Sequence, residues 1–262
     1  MANAPLRVGF IGLGTIGQGV VHLLEERGID SIDIVGALVR DPTRPRKVEI
    51  PLVATLDQLL ALRPDVVVEI AGHDGLREHG PATLRSGFNM IAVSVGVLAH
   101  DEVYQALLEA AEEGGTRMKV ASGAIGALDA IAAARLGGLD RVTHTVRKPP
   151  STLLGNDTPP LSAPQTVFSG VAREAAIKYP ASVNVTAAVS LAGLGLDRTQ
   201  VEIIADPAVT RNQHEITAEG SFGQLRFEVQ GIPTDENPRT GRLVAMSILN
   251  TLLGARTPIF VG

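Results

Sequence analysis

A run of spaced glycines near the N-terminus is the first pattern that could do chemistry. Gly12-Leu13-Gly14-Thr15-Ile16-Gly17 has the spacing G-x-G-x-x-G and lies between an apolar segment and a segment with helical spacing. In that setting Gly12 permits a tight turn, Gly14 lets the backbone approach a pyrophosphate, and Gly17 lets helix and strand pack closely. The start of the helix adds amide donors. We predict dinucleotide contacts from Gly12, Leu13, Gly14, Thr15 and Ile16.

Three further positions bear on the cofactor. Arg40, at the end of the second predicted strand, would accommodate the 2′-phosphate of NADP, whereas Asp41 would bond the ribose 2′-hydroxyl of NAD. Solvated loop charges would give the same sequence, so the choice between NAD and NADP stays open. Ala71 follows the third predicted strand, at the carboxyl edge where a nicotinamide could lie, and we predict that it contacts the cofactor.

Histidine is the side chain best suited to proton transfer near neutral pH, and the chain has six histidines and no cysteine. His214 opens a strand-like segment, where alternation places it on the same face as Ile216 and Ala218. It is there either a core residue satisfied by one hydrogen bond or a proton-exchanging group, and the pattern does not decide. Four others are predicted to be structural or solvated: His22, His79, His100 and His144. His73 follows a predicted strand at the edge where a nicotinamide could lie, so a cofactor contact there is an alternative that we do not favour, and we predict no metal site.

Buried strands and helices alternate through the first half of the chain. Near-continuous apolar segments predict strands at 6–11, 32–39, 66–70, 89–97 and 118–121. Helical spacing predicts helices at 15–26, 56–62 and 102–113. Strands that are apolar on both faces imply a parallel sheet covered by helices on both sides. The first half is therefore predicted to be an α/β Rossmann fold with a doubly wound parallel sheet.

The pattern changes after about Gly123, and the second half is predicted to be a smaller α+β domain. A helix is predicted at 126–136, and mostly alternating strands at 141–147, 201–205, 214–218 and 225–229, the last two joined by a loop at 219–224. Residues 148–162 are predicted to be a loop, and Asn237-Pro238 to start a helix.

These elements suggest two domains. Residues 1–122 are expected to bind the dinucleotide, and a helix at 238–254 is expected to pack back on them. Residues 123–237 are expected to provide substrate binding, catalysis and dimerisation.

Composition narrows the class of partner. The net charge of −5 argues against a partner held by nucleic-acid phosphates, which requires a basic surface. No apolar segment approaches the roughly 20 residues that span a bilayer, and the first residues lack the features of a signal peptide. We expect a cytoplasmic protein that binds a small molecule and has no nucleic-acid or membrane partner.

Three segments of the second half form a pattern more specific than the glycines. They are Ser122-Gly123-Ala124-Ile125-Gly126-Ala127-Leu128-Asp129, Ser182-Val183-Asn184-Val185-Thr186-Ala187-Ala188, and Ala205-Asp206-Pro207 with Asn212-Gln213-His214-Glu215-Ile216. Together they resemble the L-aspartate dehydrogenase family. The resemblance begins at the glycine pattern, includes Ser94-Val95-Gly96 and runs to Glu236-Asn237-Pro238-Arg239-Thr240, so it covers nearly the whole chain.

This resemblance implies oxidative deamination of L-aspartate to oxaloacetate and ammonia through iminoaspartate, with NAD or NADP as hydride acceptor. It also implies a homodimer and a role in supplying iminoaspartate for pyridine nucleotide biosynthesis. His214 matches the family's catalytic histidine, and Ala124 and Asn184 match its cofactor-contacting positions. Gly241 stands where the family commonly has a serine, so the resemblance offers no hydroxyl contact there.

The substrate carboxylates need donors, and the candidates are Lys148, Arg211, Arg239 and the backbone amides at 237–240. Two rival interpretations remain. One is a related Rossmann reductase of the dihydrodipicolinate reductase or homoserine dehydrogenase type. The other is a non-catalytic dinucleotide sensor in which His214 only packs.

Overall fold

The computed structural model describes residues 4–155, 159–180, 183–237 and 240–260. The chain divides into two compact units. One is formed by Met1–Gly123 together with Val244–Gly262, and the other by Ala124–Leu243. No helix within the described ranges is long and apolar enough to cross a membrane.

The first unit is built on a parallel sheet. Its strands are β1 (Leu6–Ile11), β2 (Ile32–Leu38), β3 (Leu52–Val53), β4 (Val66–Glu69), β5 (Met90–Ala92) and β6 (Met118–Val120). Its helices are α1 (Thr15–Arg27), α2 (Leu56–Ala61), α3 (His73–Arg85) and α4 (Asp101–Gly114), with a 3₁₀ helix at Val95–Ala99. A helix near the end of the chain, Leu243–Gly254, belongs to this unit from Val244 onward.

The strand order β3-β2-β1-β4-β5-β6, with parallel pairing throughout the described sheet, is that of the Rossmann fold. The order reverses between β1 and β4, and ligands of such sheets bind beyond the carboxyl ends of the strands at this point. The glycine turn follows β1, and Ala71 follows β4, so both lie at this edge. The predicted α/β Rossmann fold is confirmed.

Local sequence signals set the ends of the helices in this unit. α1 ends at Gly28 and α4 at Gly115, both in the left-handed conformation that glycine adopts without strain. α2 begins with a reciprocal capping box, in which Thr55 accepts from the Gln58 amide and the Gln58 side chain accepts from the Thr55 amide.

The second unit contains a mixed sheet and helices. Its strands are β7 (Leu139–Lys148), β8 (Gln165–Val171), β9 (Gln200–Ala205), β10 (Gln213–Gly220) and β11 (Gly223–Gln230). Its helices are α5 (Leu128–Gly137), α6 (Pro150–Leu154), α7 (Ala172–Lys178) and α8 (Asn184–Ala192), so the helix at Leu243–Gly254 is α9.

The sheet order is β11-β10-β7-β9-β8, and only β7 and β9 pair in parallel among the described strands. One face carries the core, in which Val142, Ile216 and Ala218 pack with Ile131 of α5 and Val189 of α8. The predicted second α+β domain is confirmed as a fold class.

Four predictions about local structure were wrong, and three of them concern strands and loops. The strand predicted at 89–97 ends at Ala92, because Ser94 bonds through its amide and hydroxyl to the Glu69 carboxylate and leaves the sheet. The loop predicted at 148–162 contains α6, which starts with Pro150 at its first turn. The hairpin loop is tighter than predicted, because pairing continues to Gly220 and Gly223.

The helix predicted to start at Asn237-Pro238 begins only at Leu243. Asn237 instead lies in a turn, where its amide donates to Thr234 Oγ1 and its carbonyl accepts from the Thr240 amide. Asparagine followed by proline suits such a turn as well as a helix start. Pro238 and Arg239 lie outside the described residues.

Candidate active site

The backbone of Gly12 makes a turn that other residues would strain. Its φ is +93°, and its amide donates to the Leu38 carbonyl at 2.9 Å. A Cβ at this position would lie 2.7 Å from Ala71 Cα, closer than real Cβ contacts. Position 12 therefore requires glycine for both its conformation and its space.

Gly14 and Gly17 differ in what surrounds them. A Cβ at Gly17 would lie 2.8 Å from Ile70 Cδ1, so this glycine lets α1 pack against the sheet. A Cβ at Gly14, the N-cap of α1, would meet nothing within 4 Å. The absence of a side chain at position 14 is thus not needed for packing within the chain, and it leaves the backbone open to a ligand.

The start of α1 suits an anion. Thr15 and Ile16 form its first turn, which contains no acidic residue, and no side chain caps the helix. Amides of a first helical turn have no partner within the helix, and the dipole favours negative charge there. Leu13 is buried beneath the turn. These features fit a dinucleotide pyrophosphate.

A buried carboxylate organises the neighbouring loops. Glu69, at the end of β4, accepts from the amides of Ala71 at 2.8 Å and Gly72 at 3.1 Å. It also accepts from the amide and hydroxyl of Ser94. Burial raises the pKa of Glu69, and these hydrogen bonds oppose the rise. Glu69 was not singled out from the sequence, although an acid that ends the apolar segment Val66–Glu69 is itself a signal.

Arg40 and Asp41 have different surroundings. Arg40 is exposed, two residues after β2 ends. Asp41 Oδ1 accepts from the amide of Thr43 at 2.9 Å and from its hydroxyl at 2.6 Å, and these bonds lower the pKa of Asp41. The Asp41 carboxylate thus stabilises the turn that follows Arg40.

In the second unit, His214 is one of a pair of buried histidines. It lies on β10 with Ile216 and Ala218 on its face of the strand, as alternation predicted, and is 9% exposed. Its Nδ1 is 3.1 Å from Nε2 of His144 on β7. The other ring nitrogen of His144, Nδ1, is 3.0 Å from Thr186 Oγ1 on α8. The two imidazole rings are nearly parallel, with 16° between their planes.

Both histidines are neutral at neutral pH. Burial, followed by the positive charge of Lys148, lowers the pKa of His214 from 6.5 to about 4. Burial holds the pKa of His144 well below its usual value, with added repulsion from His214 and Lys148. Lys148 is the last residue of β7 and is itself buried. The cluster joins two uncharged proton acceptors to a nearby cation.

The remaining predicted residues fall at several places. Asn184 is the exposed first residue of α8, and Ala124 is the first residue of the second unit. Gly241 lies next to Ala124, since a Cβ there would be 4.0 Å from Ala124 Cβ. Arg211 is exposed. Within the described ranges, no group of three or more histidine or acidic side chains could hold a metal ion.

His144 is the residue that sequence reasoning passed over. Alternation in β7 places it between the buried Val142 and Val146, which predicts the same inner face as for His214. That signal was present in the sequence. Its significance depends on the pairing of β7 with β10, which the sequence does not state.

Comparison with known proteins supplies independent findings. Residues 12–121 match the family model described as homoserine dehydrogenase, NAD binding domain, and residues 129–255 match aspartate dehydrogenase, C-terminal. The L-aspartate dehydrogenase of Ruegeria pomeroyi is 46% identical over 94% of this chain and 91% of that relative. L-aspartate dehydrogenase 1 of Bordetella pertussis is 41% identical over 97% of both chains.

The fold is shared with a solved structure, the aspartate dehydrogenase of Thermotoga maritima. The TM-score is 0.81 at 24% identity, over 98% of this chain and 99% of that one. The Rossmann sheet, its glycine turn and the matched NAD-binding model define the protein as a nicotinamide-dependent oxidoreductase. The relatives narrow this class, and the chain belongs to the L-aspartate dehydrogenase family. The family resemblance found in the sequence is confirmed.

Proposed function

We propose that this protein catalyses the oxidative deamination of L-aspartate to oxaloacetate and ammonia through iminoaspartate, with NAD or NADP as hydride acceptor. Relatives named for this activity span nearly the whole chain. The observation that carries the proposal is the neutral His214, buried beside His144 and Lys148 within the segment that matches the aspartate dehydrogenase model. A homoserine or dihydrodipicolinate enzyme would not account for that match.

His214 is proposed as the proton acceptor. The amino group of aspartate is protonated at neutral pH, and hydride can leave the α-carbon only when that nitrogen has a lone pair. A histidine that is neutral at this pH can take the ammonium proton. It can then return a proton as water adds to the imine and ammonia leaves. The bound nicotinamide would supply the hydride acceptor.

Lys148 is proposed to bind a substrate carboxylate. Its charge lowers the pKa of His214, so its ammonium acts on the site electrostatically. A carboxylate placed against that ammonium would offset its charge and raise the pKa of His214 in the complex. Substrate binding would thereby bring the proton acceptor closer to neutral pH, where such groups are most effective. Arg211 is the second candidate, and Arg239 lies outside the described residues.

The cofactor contacts that we propose are those predicted from the sequence. The first unit would contribute the glycine turn, Arg40 and Ala71, supported by the open backbone at Gly14. Ala124 and Asn184 are proposed as cofactor contacts on the family resemblance alone. With the exposed Arg40 at the end of β2, the 2′-phosphate of NADP should be tolerated.

The variant His214→Ala tests the catalytic assignment. Turnover with aspartate should fall by about 10²- to 10⁴-fold, the usual contribution of a general acid or base, while NADH affinity survives. NADH fluorescence measures binding, and the absorbance of reduced nicotinamide measures turnover. Ile216→Val is the matched control, because it truncates a buried residue on the same face of β10 at a cost of about 0.5–1.5 kcal/mol in stability.

The control separates chemistry from folding. Ile216→Val should lower the melting temperature yet keep normal turnover in the folded protein. If His214→Ala binds NADH, remains folded and turns over aspartate like the control, His214 is a packing residue. A protein that binds NADH but shows no aspartate-dependent turnover in its parent form would instead be a dinucleotide sensor.

We also propose that the protein is a homodimer, acts in the cytoplasm and supplies iminoaspartate for pyridine nucleotide biosynthesis. The sheet of the second unit supports the first point, since the face opposite its core carries the partly exposed Thr143, Thr145 and Thr217. Such a face can pair with its copy around a two-fold axis. Light scattering of the purified chain measures its mass.

A further inference from the structure

His214 can accept a proton only if one particular ring nitrogen has a lone pair. Its Nδ1 faces His144 Nε2 at 3.1 Å, which leaves Nε2 of His214 for the substrate. A neutral imidazole carries one proton, so a lone pair on Nε2 requires the proton to be on Nδ1. In that tautomer, His214 Nδ1 donates its hydrogen bond to His144 Nε2.

The tautomer of His214 also determines the tautomer of His144. If its Nε2 accepts, its own proton must be on Nδ1, which donates to Thr186 Oγ1 at 3.0 Å. The opposite direction has Thr186 donating to His144, His144 donating to His214, and a proton on His214 Nε2. A neutral His214 with a proton on Nε2 cannot act as the base. The two hydrogen bonds therefore have two possible directions, and only one gives a functional site.

The direction of these hydrogen bonds is not set by a carboxylate within the part of the chain that the structure describes. No carboxylate among the described residues shifts the pKa of either ring, and Lys148 is the cation that acts on both. On this face the neighbouring strand β11 contributes the apolar Leu225, Phe227 and Val229, and Val229 pairs directly with His214. The direction of the two hydrogen bonds therefore depends on whether the Thr186 hydroxyl accepts from His144 or donates to it.

Thr186 can accept the hydrogen bond that this direction requires. It lies in α8 with its Oγ1 3.0 Å from His144 Nδ1, and a hydroxyl oxygen can accept a hydrogen bond from an imidazole N–H. We propose that Thr186 and His144 are positioning residues that hold His214 in the Nδ1–H tautomer and so keep its Nε2 ready to take the substrate proton. This inference rests on the proposed role of His214.

Thr186→Val tests the inference with a nearly isosteric change. Without the hydroxyl oxygen, His144 Nδ1–H has no acceptor, so the opposite tautomer is favoured along the pair. We expect kcat to fall by about 10- to 100-fold, as when a partner that orients a functional histidine is lost, with KM and NADH affinity unchanged. Thr186→Ser, which keeps a hydroxyl, should restore most of the rate.

Ser190→Ala is the matched control. Ser190 lies one helical turn after Thr186, is equally buried, and its hydroxyl bonds to the Thr186 carbonyl instead of the imidazoles. Both variants remove one buried hydroxyl from α8 and should lose similar stability. Only Thr186→Val should lose rate. His144→Gln, which keeps an amide near the position of Nε2, should retain more rate than His144→Leu.

Nitrogen NMR of the histidine rings reads the tautomer directly and does not depend on activity. In the parent, His214 should carry its proton on Nδ1, and Thr186→Val should move it to Nε2; His214→Ala assigns the signals. An unchanged tautomer, or equal rate losses in Thr186→Val and Ser190→Ala, would overturn the inference. If His214→Ala itself keeps its turnover, the proposed catalytic role of His214 fails as well, and this outcome is distinguishable from loss of the tautomer effect alone.

Discussion

Two glycines of the same turn should respond in opposite ways to a single methyl group. Gly12 has a φ of +93°, and a Cβ there would lie 2.7 Å from Ala71 Cα. Gly14 has a φ of −87°, and a Cβ there would meet nothing within 4 Å. Gly12→Ala and Gly14→Ala therefore separate what the fold needs from what a dinucleotide needs.

The expected losses follow from these surroundings. At position 12, backbone strain of about 1–3 kcal/mol adds to overpacking of a similar size, so the free energy of unfolding should fall by about 2–5 kcal/mol. At position 14, the entropy that alanine removes from the unfolded chain, about 0.4–1 kcal/mol, opposes its poorer N-capping. The net change in stability there should be within about 1 kcal/mol.

Binding should show the reverse order. A methyl group at position 14 occupies the space through which pyrophosphate oxygens would reach the first amides of α1. A lost hydrogen bond to a charged group is worth about 1.5–3 kcal/mol, so the Kd for NADH should rise about 10- to 150-fold in Gly14→Ala.

Thermal unfolding and NADH fluorescence on the same preparations measure both effects. Normal NADH affinity in a folded Gly14→Ala would show that the glycine turn is not the nucleotide site. A large loss of stability in Gly14→Ala would show that the space around Gly14 is used by the chain itself. Either result would refute the reasoning from the glycine geometry.

Two further predictions concern charge. The pKa of His214 is lowered to about 4 in the folded chain and is near 6.5 when unfolded, so between these pH values the unfolded chain binds more protons. The free energy of unfolding should therefore fall as the pH drops from about 6.5 to 4, by up to about 3 kcal/mol, and urea titrations of the parent against His214→Asn should isolate this part; parallel curves would contradict it. Arg40→Ala should weaken NADP binding more than NAD binding, because only NADP offers a 2′-phosphate to the guanidinium. Arg44→Ala removes the same charge from the same exposed loop and should affect both cofactors little and equally, whereas equal effects of Arg40→Ala on both would make Arg40 a bystander.

The fold of the first unit could be predicted because its signals are local and agree with one another. The apolar segment of β1, the glycine turn and the helical spacing of α1 are adjacent in sequence, and each supports the same strand-turn-helix. Once such a unit begins an alternating series, a parallel sheet with helices on its faces follows, because connections between parallel strands are right-handed.

Two errors in the predicted elements occur where a side chain forms hydrogen bonds with the backbone of another residue. Ser94 leaves the sheet because its amide and hydroxyl bond to Glu69, 25 residues earlier. Asn237 stays in a turn because Thr234 binds its amide and carbonyl. Apolar spacing carries no information about either contact, because a hydrogen bond between side chain and backbone has no period. The same gap explains why Glu69 was not identified as the residue that holds Ala71 in place.

The contact between His144 and His214 could not be predicted from the sequence. Alternation alone places His144 and His214 on inner strand faces, and a register slip of one residue would turn one of them outward. A slip of two residues would keep both inward yet separate the rings. The observed antiparallel register pairs Ile216 with His144, and His214 with Val146, so the two imidazoles are diagonal neighbours. A hairpin fixes the register between β10 and β11. No such turn joins β7 to β10, because β7 ends 65 residues before β10 begins. The contact between His214 and His144 is therefore set by the pairing of β10 with β7, and no motif around either histidine could have disclosed it.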